Sequence, residues 1–150
     1  SACEKAGQWQ QALSLLREFR ISMLEPDVIS YNAGMSACEK DGHWQQAALL
    51  FSELCDERLE PDTISYNAGI SACEKGWQWQ MAVWLLRRLC DGKCEPDVIS
   101  YSAGMSACGK HGKWQQALAL LQELWDAALE PDASIYSAGV SACEKGGQWQ

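Results

Sequence analysis

Basic charge is scarce in this chain of 150 residues: 12 Lys and Arg stand against 20 Asp and Glu, for a formal net charge of -8. Proteins that hold nucleic acid or an anionic membrane by bulk electrostatics carry a basic excess, so that class is disfavoured unless a local basic row exists. Long apolar runs are also missing. No stretch approaches the roughly 18 residues of a membrane span, so no membrane partner is expected. Histidine is limited to His43 and His111, which flank predicted turns and read as exposed turn residues rather than bases or ligands. There is no Ser-His-acid set, no Gly-rich phosphate loop and no His/Cys zinc signature. Catalysis therefore finds no support, and no metal, cofactor or small-molecule substrate is expected.

What is present is ordinary folded composition, 47% hydrophobic and 21% charged, enough for one modest domain. The eight cysteines look at first like a disulfide framework, but Cys3, Cys38, Cys73, Cys108 and Cys143 lie 35 residues apart. That spacing is too wide for clustered bridges or metal ligands within one unit, so they are expected to be reduced and mostly buried. Cys90 and Cys94 are close but lack an accompanying His, and Cys55 is solitary.

The same interval organises the whole chain. Pro26, Pro61, Pro96 and Pro131 repeat every 35 residues, as do Tyr31, Tyr66, Tyr101 and Tyr136, and Trp9, Trp44, Trp79, Trp114 and Trp149. A fixed period in this range marks a solenoid. Three complete units run 28–62, 63–97 and 98–132, flanked by partial units 1–27 and 133–150. Because Ser1 falls in the middle of the pattern, the chain is expected to be a piece of a longer protein.

Within a unit, Tyr31, Met35 and Cys38 keep helical spacing up to Gly42, and Trp44, Ala47, Ala48, Phe51, Leu54 and Cys55 keep it over a second stretch before Pro61. Each unit is therefore a pair of helices. Gly42 supplies the positive φ that ends the first, and Pro61-Asp62 starts the next unit. Neither helix buries its apolar stripe alone, so successive pairs must stack. Gly34, Gly69, Gly104 and Gly139 sit inside first helices at a cost of about 1 kcal/mol each, which close helix approach explains. The Trp row keeps second-helix apolar spacing and is assigned to the core.

The period, the Pro-Asp-x-x-Ser-Tyr-Asn start at Pro61 to Asn67, the turn at Lys40-Asp41-Gly42 and the Ala-x-x-Leu second helix together resemble the pentatricopeptide repeat family. The resemblance covers the whole chain. It implies an all-α solenoid of tandem helix-turn-helix units in a right-handed superhelix, binding single-stranded RNA one base per unit, in mitochondria or chloroplasts, in RNA processing, editing, stability or translation. In that family the fifth and last residues of a unit read the base. The resemblance thus pairs Asn32 with Asp62, Asn67 with Asp97 and Ser102 with Asp132, implying U/C, U/C, G from 5′ to 3′. Ser137 opens a further pair, and Asp27 closes an earlier one. The second residue wedges between bases, here Ile29, Ile64 and Ile99, with Ser134 as a departure in the last partial unit. The thirteenth faces phosphates, giving the row Lys40, Lys75, Lys110 and Lys145.

Elementary chemistry agrees with those roles. An Asn amide carries donor and acceptor for a pyrimidine edge, whereas a shorter Ser leaves room for a purine. Three or four lysine contacts to phosphate would give a slope of log K against log salt near -2 to -3. Against this, Asp after Pro is an ordinary helix cap, and the unit 28–62 holds seven acidic residues against Lys40 and Arg58. The acidic set must lie on the outer side for phosphate to approach. The rival reading is a helical-repeat scaffold holding a protein or peptide partner in the same groove. A spacer of degenerate specificity is the third.

Overall fold

The computed structural model describes residues 9–21, 27–92 and 94–146; Cys3, Pro26 and Trp149 of the repeat pattern lie outside them. Among the described residues there are eight α-helices and no strand: α1 (Trp9–Ile21), α2 (Val28–Lys40), α3 (Trp44–Asp56), α4 (Thr63–Lys75), α5 (Trp79–Asp91), α6 (Val98–Lys110), α7 (Trp114–Asp126) and α8 (Ala133–Lys145). The even-numbered helices are the first helices of the units.

Each first helix starts at a carboxylate. The backbone amides of Ser30, Ser65, Ser100 and Ile135 donate to Oδ1 of Asp27, Asp62, Asp97 and Asp132 at 2.9 to 3.0 Å. Such a cap supplies about 1 kcal/mol and sets where the helix begins. The first helices of the complete units end in the same way. The amides of His43, Gln78 and Lys113 reach back to the carbonyls of Cys38, Cys73 and Cys108 at 2.8 to 3.0 Å. This six-to-one closure needs a left-handed residue before the donor. Gly42 (φ 75°) and Gly112 (φ 64°) provide it, but the middle copy uses Trp77 at φ 61°. A bulky residue is strained there. Its surroundings hold it: the Trp77 carbonyl lies 2.9 Å from His111 Nε2, and the two rings meet edge to face.

The core repeats with the units. Tyr31, Met35 and Cys38 on α2 pack with Ala47, Leu50 and Leu54 on α3, and the same positions are buried in the next two units. Gly34, Gly69 and Gly104 sit under second-helix leucines, whereas Gly139 faces Met105 of α6: a methyl on Gly34 would stand 3.0 Å from Leu16 Cδ1 and 3.2 Å from Leu50 Cδ1, and one on Gly69 3.2 Å from Leu85 Cδ1. Trp44, Trp79 and Trp114 are half-buried against the core, and the Trp44 ring lies where a side chain at Gly76 would have to go. The cysteines among the described residues are free thiols; burial pushes Cys38, Cys73 and Cys108 up to about 11, so they stay protonated.

Curvature follows from which helices touch. First helices pack directly on one another, α2 on α4, α4 on α6 and α6 on α8, while among the described residues no second helix packs backbone to backbone on the next second helix. The second helices therefore splay outward, linked by side chains such as the Arg87–Glu123 ion pair, and the first helices line the inner face. No helix among the described residues is long and apolar enough to cross a membrane.

Candidate nucleic-acid interface

The inner face carries three kinds of repeated side chain. At its N-terminal edge Ile29, Ile64 and Ile99 project into solvent, 76%, 65% and 65% exposed, although each belongs to a helix with a well-buried opposite side. Ser134, their counterpart on α8, is exposed as well. Exposing apolar side chains at one register of successive units, with no partner among the described residues, leaves a row suited to flat apolar surfaces.

Beside that row stand the paired positions. Asn32 Nδ2 donates to Asp62 Oδ1 at 3.1 Å, and Asn67 Nδ2 to Asp97 Oδ1 at 3.2 Å. Residues 30 apart in sequence are thus joined as one polar unit, because each Asp caps the first helix that packs beside the one bearing the Asn. Asp62 and Asp97 are caps and pair members at once. Burial pushes the Asp62 carboxyl up, but the Ser65 amide, the Ser65 hydroxyl and the Asn32 amide together outweigh it, leaving the group below its usual range; Asp97 is held down the same way by Ser100 and Asn67. Ser102 and Asp132 differ. The Ser102 hydroxyl lies 3.4 Å from Ser134 Oγ, and Asp132 serves as the cap of α8. Ser137 is exposed on α8, and Asp27 is exposed with its carboxyl lowered by the Ser30 amide and hydroxyl.

Two of the row lysines are engaged by the preceding unit. Lys75 Nζ lies 2.7 Å from Glu39 Oε1, and Lys110 Nζ 3.0 Å from Glu74 Oε1 and 3.1 Å from the Glu74 carbonyl. Ser71 and Ser106 donate to the same carboxylates at 2.7 and 2.8 Å. Lys40 and Lys145 are exposed at the ends of α2 and α8. At the position equivalent to Glu39 and Glu74, the unit before Lys145 has Gly109. Around that substitution the inner face opens into a groove of about 620 Å³ lined by Ile99, Ser102, Ser106, Gly109, Lys110 and Ser137, among others. The acidic residues Glu53, Asp56 and Glu57 fall in or just after α3, on the outer layer.

Sequence reasoning did not find Ser65, Ser100, Glu39 and Glu74 as parts of this face, although Asp-x-x-Ser and Cys-Glu-Lys recur visibly. It also placed both histidines in the open: His111 is exposed, but His43 is half-buried, its ring 4.1 Å from that of Trp9. Trp9 lies one unit earlier, and packing across the junction covers the imidazole. Among the described residues no group of three or more His, Cys, Asp or Glu is placed to hold a metal ion.

Comparison with known structures places this architecture. The crystal structure of the pentatricopeptide repeat protein PPR10 from maize superimposes with a TM-score of 0.70 at 25% identity, over 95% of this chain and 20% of that one. PPR10 in complex with an 18-nt psaJ RNA element gives 0.75 at 21% identity, over 97% and 22%. The PPR domain of Arabidopsis thaliana protein-only RNase P 1, in complex with tRNA, gives 0.86 at 15% identity, over 97% and 77%. The chain thus spans about a fifth of the length of the maize protein. No curated protein sequence matches it. The PPR repeat family matches residues 26–75 and the PPR repeat matches residues 99–127. Those two matches together take in more than half of the chain, and it belongs to the pentatricopeptide repeat family.

Proposed function

We infer that the inner face of this solenoid binds single-stranded RNA, one base per unit. Asn32/Asp62 and Asn67/Asp97 act as readers of uracil, with cytosine second, and Ser102/Asp132 as a reader of guanine. Ile29, Ile64 and Ile99 separate successive bases. The observation that carries this reading is the pairing of each Asn with an Asp of the adjoining helix, 3.1 and 3.2 Å apart, directly beside an exposed isoleucine at each step. A polar edge next to an apolar wedge at each of these units matches a base's own division into hydrogen-bonding rim and stacking face. The RNA complexes of PPR10 and of the RNase P 1 PPR domain support the choice of ligand. On the family pattern such occupancy serves organellar processing, editing, stability or translation of transcripts by blocking or recruiting other factors.

Lysines contribute less than their number suggests. Lys75 and Lys110 already face carboxylates, so phosphate contact falls more to Lys40 and Lys145. Three readers alone give weak binding, because micromolar affinity already requires about 8 kcal/mol.

The test is fluorescence anisotropy of the chain against short RNAs containing UUG, AAC or UUA at low salt. Preference for UUG, moving toward UUA in the double variant Ser102→Thr, Asp132→Asn, is the expected outcome. Equal binding to all three, or none by a version extended with further repeats and caps, overturns the base assignment and favours a peptide-holding scaffold.

A further inference from the structure

The two Asn readers are each held by a residue from the following unit that is neither member of the pair. Ser65, fully buried, places its Oγ 2.5 Å from Asn32 Oδ1 and 2.9 Å from Asp62 Oδ1, and accepts from the Asp62 backbone amide at 3.2 Å. Ser100 repeats this around Asn67 and Asp97 at 2.5, 2.9 and 3.2 Å. The third junction departs: after Ser102, the equivalent position is Ile135, fully buried and bonded to Asp132 only through its backbone. A serine follows Asn32 and Asn67, and a hydrocarbon follows Ser102; Ser30 holds the same place at the head of the first complete unit, its hydroxyl on Asp27.

The chemistry of the amide gives this arrangement a consequence. With Nδ2 on the carboxylate and the serine hydroxyl donating to Oδ1, the Asn is held one way round: the reverse orientation sets Oδ1 against Asp62 Oδ1 and, because Ser65 Oγ already accepts from the Asp62 amide, deprives the hydroxyl of its Asn acceptor. Its acceptor is engaged inside the protein, so the second N–H is the part of the amide left to meet a base. A reader that presents a donor suits a base edge rich in carbonyl oxygen, as in uracil. A freed amide can also offer Oδ1 to the amino groups of cytosine or adenine.

The geometry points to Ser65 and Ser100 as positioning residues that set base specificity, by fixing the Asn of the preceding unit as a hydrogen-bond donor. This inference rests on the RNA-reading proposal above. A serine at that place also completes a helix capping box, as Asp62 with Ser65 and Asp97 with Ser100 do here. The experiment must therefore separate a specificity role from a stability role.

Anisotropy titrations of the parent chain, Ser65→Ala, Ser100→Ala and the hydroxyl-retaining Ser65→Thr would use RNAs containing UUG and its single changes CUG, AUG, UCG and UAG, with circular dichroism to check folding. We expect Ser65→Ala to lower the preference for U over C and A about three- to tenfold, the worth of one hydrogen bond, at the first base only. Ser100→Ala should do so at the second base only, and Ser65→Thr should restore the parent pattern. Equal weakening toward every RNA, or unchanged ratios, overturns the inference. Asn32→Ser separates the two levels. If it changes the first-base preference while Ser65→Ala does not, only the positioning role falls. If the parent shows no preference or no binding, the base-reading proposal falls, and this inference with it.

Discussion

The α4/α6 junction and the α6/α8 junction pack the same two helix faces with different chemistry. The first is laced with polar bonds: Glu74 takes Ser106 and Lys110, while Ser100 bridges Asn67 and Asp97. The second replaces both clusters, Glu by Gly109 and Ser by Ile135, and brings backbones together, so that a methyl on Gly109 would stand 3.0 Å from the Ala138 carbonyl oxygen. Hydrogen bonds are directional and hold side chains in one orientation, whereas close packing holds helices in one spacing. The polar junction therefore holds Asn67 in one pose, whereas at the apolar junction Ser102 has only a long contact, 3.4 Å to Ser134 Oγ.

Exchanging parts between the junctions tests that contrast. Ile135→Ser should have the largest effect, a loss of about 2–4 kcal/mol in urea unfolding, because a filled core site loses its hydrocarbon and the new hydroxyl finds no Asn. Unchanged stability would show that α8 is not packed as described. Gly109→Glu restores the residue type of Glu39 and Glu74 within reach of Ser141 and Lys145, yet should still destabilise by about 1–3 kcal/mol, because a side chain there must push α8 away. If the polar cluster were sufficient by itself, the variant would instead be at least as stable as the parent.

Smaller effects belong to the charges. Glu74→Gln should release Lys110 toward phosphate and steepen the slope of log K against log salt by about 0.7 for a single-stranded RNA, while Lys110→Gln should leave the parent slope nearly unchanged. Acid gives the mildest contrast. Asp62 and Asp97 lie below the usual 3.8 in the folded chain, so the stability they supply is complete above that value and is lost as the pH falls through their folded values. Thermal scans should thus be level with respect to these two groups from pH 7 to 5 and decline below about 4, with Asp62→Asn showing the smaller decline.

Much of this was legible in the sequence because each helix boundary is marked locally. Pro-Asp sets the start of α4, α6 and α8, and Gly42 and Gly112 close α2 and α6. The Trp77 copy shows the limit: the turn keeps its left-handed residue without a glycine, because the six-to-one bond and the His111 contact hold a side chain that propensity alone would refuse. The positions of Asn32, Asp62, Asn67 and Asp97 were readable from period and resemblance. Their bonds to Ser65 and Ser100 were not, since residues 33 apart meet only once the offset between neighbouring helices is known. The Glu39–Lys75 and Glu74–Lys110 pairs were hidden for the same reason: Glu39 and Glu74 each stand next to a lysine of their own unit, yet the bond crosses to the next.

The unbroken contact of first helix on first helix fixes a ruler. Packed helices stand about 8–10 Å apart, whereas bases stacked in a duplex strand rise about 3.4 Å. A strand that kept step with α2, α4 and α6 along their inner face would be drawn out well beyond its stacked length, and the isoleucines would then occupy gaps that the stretching itself opens. Sequences that stack strongly, such as purine runs, resist this extension whatever their hydrogen-bonding edges offer. On the RNA-reading proposal, the solenoid's pitch would thus be a second filter, one that measures compliance rather than identity.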